Sequence, residues 1–132
     1  MTGLDILHLQ SHIGFDSIAL ARRGARVTCV DFSTEALGRA ADLAVRCGVV
    51  LADAQDLPPH LFGRFDLVYA TYGVVCWIRD LDAWFRGAVS ALRPGGRLAL
   101  VEIHPLYQTI ASLAPLELDF PYAFDGPRTF DE

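Results

Sequence analysis

Short apolar runs alternate along the chain with stretches whose apolar residues recur at helical spacing. The apolar or β-rich runs predict five strands, at Leu4–Leu9, Arg26–Val30, Val49–Ala52, Phe65–Ala70 and Arg97–Ile103. Helical spacing predicts three helices between them, over Phe15–Arg23, from a cap at Ser33 to near Gly48, and from a cap at Asp80 onward. Strands that alternate with helices favour right-handed crossovers and a parallel sheet covered on both faces. The pattern therefore predicts an α/β fold.

Local signals sharpen the ends of these elements. Gly24 is typical of a residue that stops a helix. The segment RPGG, Arg93–Gly96, predicts a turn before the last strand. The third helix carries an apolar stripe at i, i+3, i+4 spacing, made of Leu81, Trp84, Phe85, Ala88, Val89 and Leu92. Such a stripe is typical of an amphipathic helix.

The regular pattern stops at His104. Residues 105–132 hold four prolines and several aromatic side chains, without a clear helix or strand pair. A chain of 132 residues is enough for one domain and not comfortably for two. We therefore expect one core over residues 1–104 and an irregular, aromatic and proline-rich segment over residues 105–132.

Composition narrows the possible partners. The chain is 52% hydrophobic and carries a net charge of −5 without a basic run, which argues against a nucleic-acid partner. Cys29, Cys47 and Cys76 are too far apart for a zinc motif, so no metal site is expected and a reducing, cytoplasmic location is favoured. No apolar run approaches the ~20 residues that a membrane helix needs, and no signal-peptide layout opens the chain.

Polar residues fall where the predicted strands end. In open α/β sheets, ligands bind beyond the carboxyl ends of the strands. Asp31 ends the second strand and could take the two hydroxyls of a ribose, or it could simply lie beside the capping Ser33. Asp53 could accept from an adenine amino group, with Ala54 offering its amide, or it could be an ordinary loop residue. Thr71, Tyr72, Glu102 and His104 follow the fourth and fifth strands.

These residues occur in one order within a set of motifs, LHLQSHIG, VTCVDFSTEAL, ADAQDLP, FDLVYATYGVVCWIRDLDAWF, LRPGGRLAL and VEIHP. Together the motifs span about 100 residues, and with them the chain resembles the class I S-adenosylmethionine (SAM)-dependent methyltransferases. LHLQSHIG and EIHP are similar to a narrower branch of small-molecule methyltransferases. The resemblance implies a Rossmann-like three-layer α/β/α sandwich with a mostly parallel sheet of about five strands in the order 3-2-1-4-5.

The resemblance also implies a function and a set of site residues. A methyl group would pass from SAM to a small-molecule acceptor, leaving S-adenosylhomocysteine. The family's glycine motif falls on Leu7–Gly14, with His8 at its acid position. The implied cofactor-binding residues are Gln10, His12, Gly14, Asp31, Phe32, Asp53, Ala54 and Thr71. Tyr72 and His104 are the implied catalytic residues on the acceptor side, where either could shape the acceptor pocket or take a proton.

Alternatives remain open at this point. The depleted glycines leave room for a non-catalytic SAM- or nucleoside-binding module. An NAD-binding oxidoreductase would use an acid after strand two, but the loop has only one glycine of the dinucleotide motif and LRPGG would have no role. Compared with the family, the chain is expected to be truncated at both ends. The fifth strand would then be an exposed edge of the sheet unless the aromatic segment or a second subunit covers it, so a homodimer through this edge is one hypothesis.

Overall fold

The computed structural model describes residues 1–43, 47–118 and 122–123. The chain divides into two compact units, Met1–Glu102 and Ile103–Glu132. In the first unit, the strands are β1 (Asp5–Leu9), β2 (Arg26–Asp31), β3 (Cys47–Leu51), β4 (Phe65–Thr71) and β5 (Leu92–Val101). Its helices are α1 (Phe15–Arg22), α2 (Thr34–Leu43) and α3 (Leu81–Ala91).

The five strands form one parallel sheet in the order β3-β2-β1-β4-β5. The predicted α/β fold and strand order are confirmed. β1 lies in the centre, where Ile6 pairs with Val27 on one side and with Leu67 on the other. Successive residues of a strand point to opposite faces, so each face of this central strand needs its own apolar cover.

Two apolar clusters supply that cover, one on each face of the sheet. Leu7 and Leu9 of β1 belong to the cluster that contains Trp84, Ala88 and Ala91 of α3. Ile6, the neighbour of Leu7, belongs to the cluster that contains Leu20 of α1 and Leu37 of α2. The alternation along β1 therefore produces the three-layer α/β/α sandwich.

The predicted caps are correct. Ser33 Oγ accepts from the Ala36 amide at 3.2 Å, and Asp80 Oδ1 accepts from the Ala83 amide at 2.8 Å. Each bond satisfies a backbone donor that the first turn of a helix leaves without an intrahelical partner. These short polar residues therefore fix where α2 and α3 begin.

Two local predictions were wrong. The second helix was expected to end near Gly48, but α2 is described to Leu43, and Gly48 lies in β3, where it pairs with Thr28. RPGG is not a separate turn. It lies within β5 as a bulge, since five residue steps from Leu92 to Arg97 oppose the two steps from Phe65 to Leu67.

The apolar stripe on α3 is only partly buried. Trp84 and Ala88 are buried, whereas Leu81, Phe85 and Val89 are exposed. The indole of Trp84 fills the contact between helix and sheet together with Ala88 and Ala91. The apolar spacing is helical, but only part of the stripe has a partner within the described part of the first unit.

The second unit was expected to be irregular after His104. Within it, β6 (Ile110–Leu113) and β7 (Leu116–Leu118) form an antiparallel pair, with Leu113 opposite Leu116. Pro115 lies between the two strands, where a proline needs no ladder hydrogen bond. The predicted aromatic residues Phe120, Phe124 and Phe130 lie outside the described residues.

Candidate functional site

In the loop between β1 and α1, every second residue has a left-handed backbone conformation. Gln10, His12 and Gly14 have φ angles of 52°, 49° and 79°. This conformation favours glycine and costs other residues roughly 1 kcal/mol or more each. A Cβ added at Gly14 would also lie 3.1 Å from the Ala40 Cβ, so α2 packs closely against the loop. The loop thus turns tightly with a single glycine.

The side chain of Gln10 points into the protein and bonds with two distant segments. Its Oε1 accepts from the indole Nε1 of buried Trp84 at 3.0 Å, and its Nε2 donates to the Val74 carbonyl at 3.3 Å. These bonds connect the loop with α3 and with the segment after β4. Gln10 therefore holds the loop in place through its side chain.

Asp31, at the carboxyl end of β2, is a buried carboxylate whose two oxygens each accept a backbone amide. Oδ2 accepts from His12 at 2.8 Å and Oδ1 from Ser33 at 2.9 Å. Each carboxylate oxygen keeps a second lone pair for a further donor. The His12 imidazole is exposed, so the bond that ties this residue to the site comes from its backbone.

A cleft of about 220 Å³ opens beside Asp31 at the carboxyl edge of the sheet. It brings together five of the predicted cofactor residues, Gln10, Asp31, Phe32, Asp53 and Ala54. The rings of Phe32 and Trp77 also line it and are 75% and 81% exposed. Since aromatic faces and a carboxylate converge on one concave surface, the cleft can hold a planar ring joined to a separate group that carries hydroxyls.

Gln55 is a residue of this cleft that the sequence interpretation missed. Its backbone amide donates to Asp53 Oδ1 at 2.8 Å, and its Oε1 accepts from the amides of Arg79 and Asp80 at 3.1 and 2.8 Å. Asp53 and Gln55 form an Asx-type turn that local spacing could have indicated. The bonds to residues 24 and 25 positions away have no local signal.

Thr71 and Tyr72 lie at the end of β4. Thr71 Oγ1 donates to Asp16 Oδ2 at 2.9 Å. Tyr72 has a φ of 56°, its amide donates to the Val101 carbonyl at 2.8 Å, and its side chain is 70% exposed. The backbone of Tyr72 is therefore held by β5 while its phenol faces solvent.

Glu102 orients the segment that follows Tyr72. Its Oε1 accepts from the amides of Val74 and Val75, both at 2.9 Å. Hydrogen bonds to an ionised acceptor are about twice as strong as neutral ones. Glu102 thus fixes the start of the short helical turn that carries Trp77 to the cleft.

His8 lies beneath the loop as a buried, uncharged residue. Burial lowers the pKa of its imidazole to about 4, although the carboxylates of Asp16 and Asp31 act in the opposite direction. Its Nδ1 forms a 2.7 Å hydrogen bond with Ser17 Oγ, and its ring lies 5.0 Å from the ring of Tyr69. His8 is therefore neutral at physiological pH.

His104 belongs to the second unit. Its Nδ1 accepts from the Leu106 amide at 3.2 Å, and its ring stacks on Tyr122 with centroids 6.5 Å apart. A neutral imidazole that accepts at Nδ1 carries its proton on Nε2. In this arrangement Nε2 of His104 is a donor.

A depression of about 430 Å³, larger than the cleft beside Asp31, lies at the opposite, amino-terminal edge of the sheet. Asp5 there pairs with Arg26 and Arg93, which hold the pKa of its carboxyl below the usual value.

Among the residues that the structure describes, no group of three or more His, Cys, Asp or Glu side chains is arranged to hold a metal ion. In the same residues, no helix is both long and apolar enough to cross a membrane.

The fold and the cleft define a class of protein. A parallel sheet in the order 3-2-1-4-5 with helices on both faces is a Rossmann-like domain, and the cleft with the buried acid lies at the edge where such sheets bind ligands. Residues 7–100 match the methyltransferase domain family. The chain therefore belongs to this family of SAM-dependent methyltransferases.

Two curated relatives are methyltransferases. An uncharacterized methyltransferase of Synechocystis is 35% identical over 103 residues, which cover 77% of this chain and 48% of the relative. The tRNA 5-carboxymethoxyuridine methyltransferase of Escherichia coli is 33% identical over 94 residues, which cover 67% of this chain and 36% of the relative. The chain thus spans about half the length of these relatives or less.

Solved structures share the fold. A SAM-dependent methyltransferase from Mesorhizobium loti aligns with a TM-score of 0.71 and 29% identity, over 80% of this chain and 49% of that one. Phosphoethanolamine N-methyltransferase 2 from Haemonchus contortus, solved in complex with SAM, aligns with a TM-score of 0.67 and 27% identity. That alignment covers 75% of this chain and 24% of the other. These neighbours support SAM as the cofactor of the family.

Proposed function

We propose that the cleft at the carboxyl edge binds the nucleoside part of SAM and that the chain transfers the methyl group to a small-molecule acceptor. The observation that carries this proposal is the buried Asp31 carboxylate, which keeps lone pairs free beside the cleft. A ribose presents two adjacent hydroxyl donors, which match the two oxygens of one carboxylate.

The adenine part has a complementary surface. Phe32 offers an exposed ring face, and Asp53 offers acceptor oxygens beside the Ala54 backbone. The Asp53 oxygens already accept from Gln55, which fixes the direction of the carboxylate. The residues present therefore fit the adenosine portion, while the backbone of Gln10–Gly14 is the proposed contact for the methionine portion.

SAM supplies a methyl group on a positively charged sulfur, which is already activated for transfer. The protein's task is then to orient the acceptor and exclude water, which can lower a barrier by about 7–11 kcal/mol in favourable cases. Tyr72 and His104 remain the proposed acceptor-side residues. The exposed phenol of Tyr72 could contact an acceptor directly, whereas His104 would have to release the Leu106 amide before Nδ1 could take a proton.

A small molecule is the proposed acceptor, although one relative methylates tRNA. The support lies in charge. The chain has a net charge of −5 and no basic run along its sequence. A polyanionic acceptor would need cationic side chains near the reacting base.

Calorimetric titration of SAM, S-adenosylhomocysteine and NAD tests the cofactor proposal. We expect SAM and S-adenosylhomocysteine to bind and NAD not to bind. Asp31→Ala should weaken SAM binding at least 10-fold, because it removes the ribose acceptor and two loop bonds. Asp82→Ala, which removes an exposed carboxylate from the first turn of α3, should leave binding unchanged.

Methyl transfer needs its own assay. Labelled SAM offered with a small-molecule extract or with bulk tRNA should label the extract alone. Label in the tRNA would overturn the small-molecule proposal, and SAM binding without transfer to either would favour a non-catalytic binding module.

A cytoplasmic location and a homodimer through β5 stay predictions. Light scattering tests the homodimer, and a strictly monomeric species at high concentration would contradict it.

A further inference from the structure

The cleft beside Asp31 has two walls that lie far apart in the sequence, and the side chain of Gln55 joins them. One wall follows β3 and is built by residues 52–55, and the other follows β4 and holds Trp77 and Ile78. Gln55 is half-buried in the first wall, and its side chain bonds with the backbone that directly follows Ile78. The distance between the two walls is therefore set at this residue.

The oxygen and the nitrogen of the Gln55 side-chain amide have different partners. Oε1 accepts from the backbone amides of Arg79 and Asp80 at 3.1 and 2.8 Å. Nε2 donates to Oδ1 and Oδ2 of Asp53 at 3.2 and 3.3 Å, and the Gln55 backbone amide donates to Oδ1 at 2.8 Å. The oxygen thus holds the end of the second wall, while the nitrogen helps to fix the direction of the Asp53 carboxylate.

The turn that carries Gln55 is itself anchored. The Asp53 carbonyl accepts from the Asp56 amide at 3.0 Å, which closes the turn. Ala54 and Leu57 are buried in the apolar cluster that α3 covers. Because the backbone is fixed on both sides of Gln55, its side chain leaves the turn in a defined direction.

The second wall is held at both of its ends. Glu102 holds the amides of Val74 and Val75 at the start, and Gln55 holds the backbone after Ile78. Between these two attachments the indole of Trp77 stays exposed at the rim of the cleft. A large aromatic surface that is exposed beside a cleft is typical of a surface that a ligand covers.

We propose that Gln55 is a positioning residue for the base of the cofactor. Its Oε1 keeps the Trp77 wall at a fixed distance from the base, and its Nε2 aims the Asp53 carboxylate at the exocyclic amino group. Gln55 thereby selects a 6-aminopurine over a 6-oxopurine, because an oriented carboxylate accepts from an amino group and repels a carbonyl oxygen. This inference rests on the proposed function and deepens it.

Two substitutions separate the two bonds of the side chain. Gln55→Glu keeps an oxygen for the amides of Arg79 and Asp80 and replaces the donor to Asp53 by an acceptor. Gln55→Met has a similar length and provides neither the donor nor the carbonyl acceptor. Asp56→Asn is the control, because it exchanges an acid for an amide at the next position, whose exposed side chain lies outside the lining of the cleft.

Calorimetry with 5′-methylthioadenosine and 5′-methylthioinosine tests the bond to Asp53. The two nucleosides differ at position 6 of the purine. We expect the unsubstituted chain and Asp56→Asn to prefer the 6-amino compound by about 10-fold or more, and Gln55→Glu to reduce this preference to about threefold or less. An unchanged preference in Gln55→Glu, whatever its loss of affinity, would mean that Gln55 is only structural and would overturn the proposal.

Quenching of tryptophan fluorescence by acrylamide tests the bond to the second wall. The chain has two tryptophans, and Trp84 is fully buried, so the quenching reports on Trp77. Saturation with 5′-methylthioadenosine should lower the quenching in the unsubstituted chain and in Gln55→Glu, and this protection should be lost in Gln55→Met. Equal protection in Gln55→Met would show that Oε1 does not hold the wall, which also overturns the proposal.

Failure of this inference is distinct from failure of the proposed function. If the unsubstituted chain binds neither SAM nor 5′-methylthioadenosine, the proposed function fails and the role of Gln55 fails with it. If the unsubstituted chain binds SAM but binds the two nucleosides equally well, the cofactor proposal stands and the selection by Gln55 is refuted. Urea unfolding of each variant shows whether a change in binding reflects a loss of the fold.

Discussion

The indole nitrogen of Trp84, near the start of α3, donates its hydrogen bond to the side-chain oxygen of Gln10 in the loop between β1 and α1, 3.0 Å away. Trp84 is fully buried and is the largest side chain in the main apolar cluster. Packing of the core and the conformation of the loop are therefore coupled through one bond between residues 74 positions apart.

Breaking that bond should lower stability. Gln10→Ala leaves the indole N–H buried without its partner, so we expect the free energy of unfolding to fall by about 1–3 kcal/mol, measured by urea unfolding. Trp84→Phe removes the donor, and Gln10→Ala added to it should cost much less than it does alone. Equal costs in the two backgrounds would show that the bond does not contribute.

Substitutions at His12 can distinguish the role of its backbone amide from the role of its imidazole. His12 has a φ of 49° and its amide donates to Asp31, while the imidazole is exposed. His12→Gly keeps the amide and relieves the left-handed strain, so we expect stability to rise by about 0.5–1 kcal/mol with SAM affinity unchanged. His12→Ala, which keeps the strain, should gain no stability. A large loss of SAM affinity in both variants would assign the imidazole to the cofactor.

The neutral His8 makes stability depend on pH. Its pKa falls from 6.5 to about 4 on folding, so the unfolded chain takes up a proton at a higher pH than the folded chain does. Protonation of His8 therefore favours the unfolded chain. The free energy of unfolding is unaffected by this group above pH 6.5 and falls as the pH drops towards 4, by about 3 kcal/mol in total. Urea unfolding across this range should show the decline, and His8→Asn should flatten it. An equally steep decline in His8→Asn would assign the effect to other groups.

The exposed half of the α3 stripe should tolerate polar residues. Val89 is 60% exposed, so Val89→Ser should change the free energy of unfolding by less than about 0.5 kcal/mol. Ala88, its neighbour, is fully buried against the sheet, and Ala88→Leu should cost about 1–3 kcal/mol through overpacking. Thermal or urea unfolding distinguishes the two, and comparable losses would place Val89 in a packed contact.

Much of the fold follows from local signals in the sequence. Ser33 and Asp80 marked helix starts correctly because a cap bonds within three residues. The exposure of Val89 could not be predicted, because helical spacing identifies a shared face and not the element that covers it. The β6–β7 pair was missed since Pro115 suggested irregular chain, although it lies between the strands.

In the candidate site, too, some features follow from local sequence and others depend on contacts between distant segments. Asp31 and Asp53 could be located from their places after strands, and the cleft brings them together. The inward bond of Gln10 to Trp84 and the bond of Gln55 to Asp80 could not be predicted, because each joins segments that only the folded sheet brings close. Sequence thus located the acids, while the contacts that orient them required the structure.

The bulge in β5 has a consequence for how this domain can change. It brings Arg93 to Asp5 and Asp66 at 2.8 and 3.2 Å, and Asp5 also pairs with Arg26, so ion pairs join four neighbouring strands at their amino ends. The candidate site lies at the other end of the same strands. The ion pairs that join the strands are thus separated from the candidate site by the length of a strand. Substitutions in the loops at the carboxyl edge can therefore change which acceptor fits without breaking these ion pairs.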